Sequence, residues 1–341
     1  MAVYCIRAVN KQSAITGTLW YLSKGRLYAL CVTVFIVSFC LVAHVLYMRY
    51  LNDSTLCLES YHDDEPINVD TLREKIKLPQ TKRRLPQCLI IGVRKGGTRA
   101  LLEFLNIHSM IQRSTDEIHF FDNERKYNMG LEWYRQQMPY SFADQITVEK
   151  SPAYFITEGA PERIRAMNES IRLLLIVREP VTRLISDYSQ LAANKAKKDK
   201  FIRPFQDLVF REDGTVNTDY RAVRVSMYSL YIKMWLSVFQ RDQILIINGD
   251  RMIRDPYPEI YKTEQFLGLE HRIGRENFFY NKTKGFYCVR NYTVDKCLNE
   301  SKGRKHPPID PEIISKLRQF YAPFNREFYN LVRQDFGWPE D

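Results

Sequence analysis

No internal repeat and no low-complexity segment interrupts these 341 residues, so neither a repeat array nor a biased tract is expected. No group of His, Cys, Asp or Glu stands at metal-ligand spacing, and no metal is expected. The NTPase order G-x-x-x-x-G-K-[ST] is absent as well. Where it would fit, Gly97 is followed by Thr98, and Lys95 stands before the glycine pair. That argues against a nucleotide kinase or a Mg-ATP hydrolase. Lys, Arg, Asp and Glu are missing from Leu27 to Met48, a 22-residue run long enough to cross a bilayer. Acidic residues are missing before it, where Arg7, Lys11, Lys24 and Arg26 stand, whereas Asp53, Glu59, Asp63, Asp64 and Glu65 follow it. The positive-inside rule then places the N-terminus in the cytosol and the remainder across the membrane. A cleaved signal peptide is the alternative, but the run exceeds a usual h-region and no small-residue cleavage site follows.

The expected organisation is a cytosolic tail (1–26), a transmembrane signal-anchor (27–48), a polar lumenal stem (49–84) and one globular domain (85–341). Cysteine is sparse: of seven, only Cys57, Cys88, Cys288 and Cys297 would be lumenal. Cys288 and Cys297 are close enough to staple one short loop in an oxidising lumen. Cys88 reads as buried at the start of the first strand. Potential N-glycan acceptors stand at Asn52, Asn168, Asn281, Asn291 and Asn299. The formal net charge of +10 suits an acidic polymer. With that topology the partner is an acidic glycan rather than nucleic acid.

What is present centres on LIIGVRKGGTRALL, Leu89 to Leu102. It reads as strand, glycine loop and helix, a combination that offers backbone N–H groups and a helix N-terminus to an anion. A tight βα turn is the other reading of Gly96 and Gly97. Arg94, Lys95 and Arg99 crowd the same turn and repel one another without an anion. Further along, Glu117 and His119 would share one side of an extended stretch, Thr115 to Asp122. They are open to two readings, an acid–base pair or a surface salt bridge. Phe120 and Phe121 read as core.

Ile146–Lys150 is a short strand closed by Ser151-Pro152, and Ile171–Val177 a central parallel strand covered on both faces. Arg178 follows it, with Ser186 two helical turns on. Arg178 either holds a second phosphate or pairs with Glu179 or Asp187. Asn194 to Arg203 is a lysine-rich loop, Gln243–Asn248 another strand, and Asp310–Leu331 a helix interrupted near Pro323. Alternating strands and helices give an α/β fold with a central parallel sheet.

Taken together, Leu89–Leu102 and Arg178…Ser186 resemble the two nucleotide-binding elements of sulfotransferases that use 3′-phosphoadenosine 5′-phosphosulfate (PAPS). GVRKGGTRALLEFL, EIHFFD, EKSPAYF, GFYC and SKGRKHP are similar to the heparan sulfate glucosamine 3-O-sulfotransferases, from about Leu85 to Trp338. The resemblance implies a single P-loop-kinase-like α/β domain in the Golgi lumen. It implies that Lys95, Gly96, Gly97, Thr98 and Arg99 surround the 5′-phosphosulfate and that Arg178 and Ser186 bind the 3′-phosphate. Tyr287 and Lys302, Gly303, Arg304, Lys305 and His306 would complete the PAPS site.

By the same resemblance Glu117 is the base for the glucosamine 3-hydroxyl. Lys95 stabilises the departing phosphate, and His119 and Asp122 support Glu117 and the sugar. Arg94, Lys150, Ser151, Lys198, Lys200 and Lys296 contact heparan sulfate, and the family's disulfide falls on Cys288 and Cys297. Rival readings are an N- or 6-O-sulfotransferase and an inactive heparan sulfate-binding membrane protein.

Overall fold

A computed structural model describes residues 36–44, 80–290, 295–298 and 306–341. The chain divides into two units, Met1–Ile67 and Asn68–Asp341. Within the expected signal-anchor, residues 36–44 are helical, and its other residues lie outside the described ones, as does Cys57. Among the described residues no helix is long and apolar enough to cross a membrane.

In the second unit, five described strands run parallel: β1 (Cys88–Gly92), β2 (Ile111–Arg113), β3 (Ile146–Lys150), β4 (Arg172–Val177) and β5 (Ile244–Asn248). Their spatial order is β2-β3-β1-β4-β5. In the register of the centre, Leu89 lies between Glu149 and Leu173, and Ile90 between Lys150 and Leu174. Period-2 alternation explains why these strands read as unbroken apolar runs. Leu89, Ile91, Leu173 and Leu175 face one core, with Phe120, Phe121, Tyr134, Tyr154 and Trp235. Cys88, Ile90, Leu174 and Ile176 face the other, against Leu101, Leu102 and Phe104. Cys88 is buried, as expected, and burial pushes its thiol pKa up.

Five helices matter for the site: α1 (Thr98–Leu105), α2 (Pro180–Ala196), α3 (Gly249–Arg254), α4 (Tyr257–Leu267) and α5 (Pro311–Val332). Two differ from expectation. Helix α2 runs on to Ala196 and takes Lys195 out of the expected loop, its cations complementing the helix C-terminus. Helix α5 continues through Pro323, because a proline removes one intrahelical bond while Leu317, Tyr321, Phe328 and Val332 anchor the helix on both sides of it.

The short strand β2 and an antiparallel sheet of β6 (Phe278–Asn281), β7 (Phe286–Arg290) and β8 (Asp295–Lys296) are additions to the expected elements. The Cys288–Cys297 disulfide closes that sheet. Pairing also starts earlier than Leu85, since Lys82 and Arg83 lie antiparallel to Ser141 and Tyr140.

All five parallel strands lead at their C-terminal ends into the segments that carry the candidate site, and neighbours β3 and β4 flank β1 there. This is the edge at which open α/β sheets bind ligands.

Candidate active site

The glycine loop is built against the sheet. The Val93 N–H donates to the Ile176 carbonyl at 2.9 Å, and the Gly96 N–H to the Val93 carbonyl at 2.8 Å. A Cβ on Gly96 would lie 2.4 Å from the Ile176 oxygen, so only glycine lets the turn sit this close to β4. Lys95 and Gly97 are both left-handed, with φ of 70° and 117°, and α1 starts at Thr98. The first N–H groups of α1 have no intrahelical partner, the arrangement that suits an anion at a helix N-terminus. The turn is therefore tight for steric reasons and leaves the N-terminus of α1 facing the C-terminal edge of the sheet.

Charge gathers around it. Arg99 pairs with Glu103 at 2.8 Å and donates to the Thr115 carbonyl at 2.9 Å, while Arg94 pairs with Asp187 at 2.8 Å. His306, the described end of the expected KGRKH segment, reaches the same edge. Desolvation, then the charges of Arg178 and Lys95, lower its imidazole pKa. Lys302, Gly303, Arg304 and Lys305 lie outside the described residues.

Arg178 takes neither expected partner. It pairs with Asp250 at 3.0 Å, and the same carboxylate accepts the Glu179 N–H at 2.6 Å. Glu179 instead caps α2 through the Val181 and Thr182 N–H groups. Asp187 is shared by Arg94 and the fully buried Arg183, and Arg183 also donates to the Arg94 carbonyl at 3.2 Å. Arg183, Gly249 and Asp250 are additions to the residues expected from the sequence. Gly249-Asp250 directly after a buried strand was the available signal.

The candidate base lies in the segment after β2. Lys150 Nζ, almost fully buried, donates to Glu117 Oε1, while Glu117 itself is 42% exposed. His119 Nε2 stands 3.4 Å from Glu117 Oε2, and its Nδ1 stands 2.8 Å from Asp122 Oδ2. Glu117 and His119 do meet, but not through an extended strand: His119 is left-handed, with a φ of 56°. The turn, not alternation, brings the two side chains together. Burial acts to raise the Glu117 pKa, yet His119 and Lys150 overcome it and lower the carboxyl to about 2. The bond to Asp122, then that to Glu117, raise His119 to about 9 against desolvation. Burial lowers the Lys150 ammonium pKa, opposed by Glu117 and assisted by nearby Arg99.

These shifts fix a pH window. The depressed Glu117 stabilises the fold fully above its ordinary range near pH 4.5 and loses that contribution as pH falls through about 2. The raised His119 stabilises it fully below pH 6.5 and loses its contribution as pH rises through about 9. The melting-temperature gap between wild type and His119→Asn is therefore expected to be widest near pH 5–6 and to close by pH 9–10. A gap that does not vary with pH between 6 and 10 would contradict the ion-paired imidazole.

Ser186 is half-buried on α2. Tyr287 is half-buried on β7, its ring edge-on to Tyr280 at 5.4 Å. Lys296 reaches Glu103 at 3.6 Å, beside the formed Cys288–Cys297 bond. Lys198 and Lys200 lie exposed beyond α2, and no hydrogen bond or ion pair among the described residues joins them to the Glu117 cluster. Ser151 corrects its expected sugar contact. It is fully buried, and its hydroxyl donates to Glu149 at 2.6 Å and accepts the His119 N–H at 2.9 Å.

Comparison with known proteins defines the class first: the Sulfotransferase domain family matches residues 85–331. The crystal structure of a sulfotransferase from Alicyclobacillus acidocaldarius shares the fold, with a TM-score of 0.55 and 20% identity. That match covers 74% of this chain and 98% of that one. Over 269 residues the chain is 50% identical to heparan sulfate glucosamine 3-O-sulfotransferase 5 of Homo sapiens, covering 78% of each. Heparan sulfate glucosamine 3-O-sulfotransferase 3A1 of Homo sapiens is 44% identical over 266 residues, 76% of this chain and 64% of that one. The protein belongs to the heparan sulfate glucosamine 3-O-sulfotransferase family of sulfotransferases.

Proposed function

We propose that this protein transfers a sulfuryl group from PAPS to the 3-hydroxyl of glucosamine residues in heparan sulfate. One observation carries the reading. An ionised, partly exposed Glu117, held by His119 and Lys150, lies at the sheet edge that also carries the cationic glycine loop, and Arg99 of that loop acts on Lys150. The names of the relatives above supply the substrate and the position.

The residues fit a donor with two phosphate-bearing ends. Gly96 lets the loop backbone lie flush on β4, and Arg178 and His306 bring cationic and polar groups to the same edge. Lys95, Gly96, Gly97, Thr98 and Arg99 would hold the phosphosulfate, and Arg178 and Ser186 the 3′-phosphate. Tyr287 and the segment 302–306 would complete the donor site. When bound, PAPS would supply the sulfuryl group, with its 5′-phosphate as the leaving group and the sugar oxygen as the acceptor.

Glu117 takes the proton of the 3-hydroxyl. Glu117 is the exposed member of its pair with Lys150, so the hydroxyl meets the carboxylate while Lys150 holds it from the buried side. His119, fixed by Asp122, keeps the carboxylate oriented, and Lys95 stabilises charge on the departing phosphate. Arg94, Lys198, Lys200 and Lys296 hold sulfate and carboxylate groups of the polymer.

We place the domain in the Golgi lumen behind a type II signal-anchor. The charge-free run 27–48 and the Cys288–Cys297 bond support this placement. So does Asn168, whose Oδ1 accepts the Ser170 hydroxyl at 2.9 Å in an exposed turn open to a glycan. The deciding experiment incubates the full-length protein in detergent with heparan sulfate and sulfur-labelled PAPS, then maps labelled disaccharides. Label at the 3-O position is expected. Label at N or 6-O would overturn the regiochemistry, and heparan sulfate binding without transfer would leave a binding protein. A mobility shift on endoglycosidase treatment of the cell-expressed protein is expected from the lumenal placement, and its absence would overturn it.

A further inference from the structure

Three consecutive N–H groups follow Glu117, and each ends on a different side chain. The Ile118 N–H donates to Glu149 Oε1 at 3.3 Å, the His119 N–H to Ser151 Oγ at 2.9 Å, and the Phe120 N–H to Tyr154 Oη at 3.0 Å. All three acceptors come from the six-residue stretch 149–154 at the end of β3, and all three are fully buried. The row is internally ordered. Ser151 donates its hydroxyl proton to Glu149 Oε1 at 2.6 Å, so toward His119 that hydroxyl can only accept. Tyr134 donates to the second Glu149 oxygen at 3.2 Å. From the other side Lys126 Nζ donates to the Ile118 carbonyl at 2.5 Å.

What the row holds is an unfavourable backbone. His119 is a non-glycine residue at a φ of 56°, a conformation that persists only where its surroundings impose it. That same turn sets the imidazole between Glu117 at 3.4 Å and Asp122 at 2.8 Å. Burying a carboxylate here is costly, and burial raises the Glu149 pKa while the hydroxyl and amide donors oppose it. An apolar floor would fill the same space without that cost, but it would leave three amides unpaired and His119 free to relax.

We propose that Glu149, Ser151 and Tyr154 are positioning residues for sulfuryl transfer, a polar row that fixes the backbone of Ile118, His119 and Phe120 and so holds His119 against Glu117. The proposal rests on Glu117 being the base. It also gives the buried serine of the EKSPAYF stretch a role other than touching the sugar.

The test compares full-length Ser151→Ala and Tyr154→Phe with Tyr134→Phe, which removes an equally buried hydroxyl that touches Glu149 and Tyr154 but accepts no backbone N–H of the turn. Glu117→Gln is measured beside them. Expected for Ser151→Ala and Tyr154→Phe is a roughly ten- to hundredfold fall in kcat with KM for PAPS unchanged, as for a small misplacement of a catalytic group. In the same two variants the His119 imidazole, followed by NMR, should titrate below its value of about 9. The charged groups that set this titration are Glu117 and Asp122 on its own segment, with Lys150 of β3 beyond Glu117. Tyr134→Phe should lower the melting temperature but move neither kcat nor the titration. Unchanged kcat and His119 titration in Ser151→Ala and Tyr154→Phe, with Glu117→Gln inactive, would overturn the positioning role alone. An active Glu117→Gln would instead overturn the base assignment beneath it.

Discussion

Glu117→Gln is expected to lose turnover by about 10²- to 10⁴-fold, the usual contribution of a positioned general base. As a barrier that is about 3–5 kcal/mol. The amide keeps the shape of the carboxylate and can still accept from Lys150, but it cannot take the proton of the sugar hydroxyl. The variant also removes the carboxylate hydrogen-bonded to an almost fully buried ammonium, so some loss of melting temperature is expected as well. The two effects are separable. Affinity for 3′-phosphoadenosine 5′-phosphate, titrated by calorimetry, should stay at the wild-type value, because nothing on the glycine loop is altered. A variant that turns over at more than a tenth of the wild-type rate would remove Glu117 from the chemistry and leave it a structural partner of Lys150.

The same cluster shows what the sequence carried and what it hid. Strand β1, the glycine loop and α1 were legible because the apolar run, the glycines and the helical residues are contiguous. Glu117 and His119 were legible as residue types two positions apart. Their meeting depends on a left-handed His119, which no local pattern announces; three buried acceptors some thirty residues downstream impose it. Arg178 was recognisable at a strand end, but its partner Asp250 lies 72 residues away and is delivered by the β4–β5 pairing. Ser151 was a sugar contact by resemblance alone, whereas just past the end of β3 it is fully buried between Glu149 and His119. Strand β2, only Ile111-Gln112-Arg113, carries too few apolar residues to show any period.

The second large effect belongs to Gly249, which follows β5 and opens α3. A Cβ there would stand 2.5 Å from the Gly96 carbonyl oxygen, 2.8 Å from the Val177 oxygen and 2.8 Å from Arg178 Cγ. Two of these are backbone atoms of the glycine loop and of β4, and neither can swing aside. Arg178 is itself held by Asp250. Gly249→Ala therefore drives the loop and Arg178 apart, the two elements proposed to bind opposite ends of the donor. Overpacking of this kind costs about 1–3 kcal/mol of stability. The expected signature is more than a tenfold rise in the dissociation constant for 3′-phosphoadenosine 5′-phosphate, about 1.4 kcal/mol or more. Gly268→Ala supplies the comparison. It lies at the end of α4 with a φ of 69° and open space around it, so the alanine strains the backbone without touching the loop. It should lower the melting temperature and leave nucleotide affinity alone. A Gly249→Ala protein that melts lower yet binds the nucleotide as tightly as wild type would put the donor site somewhere other than this sheet edge.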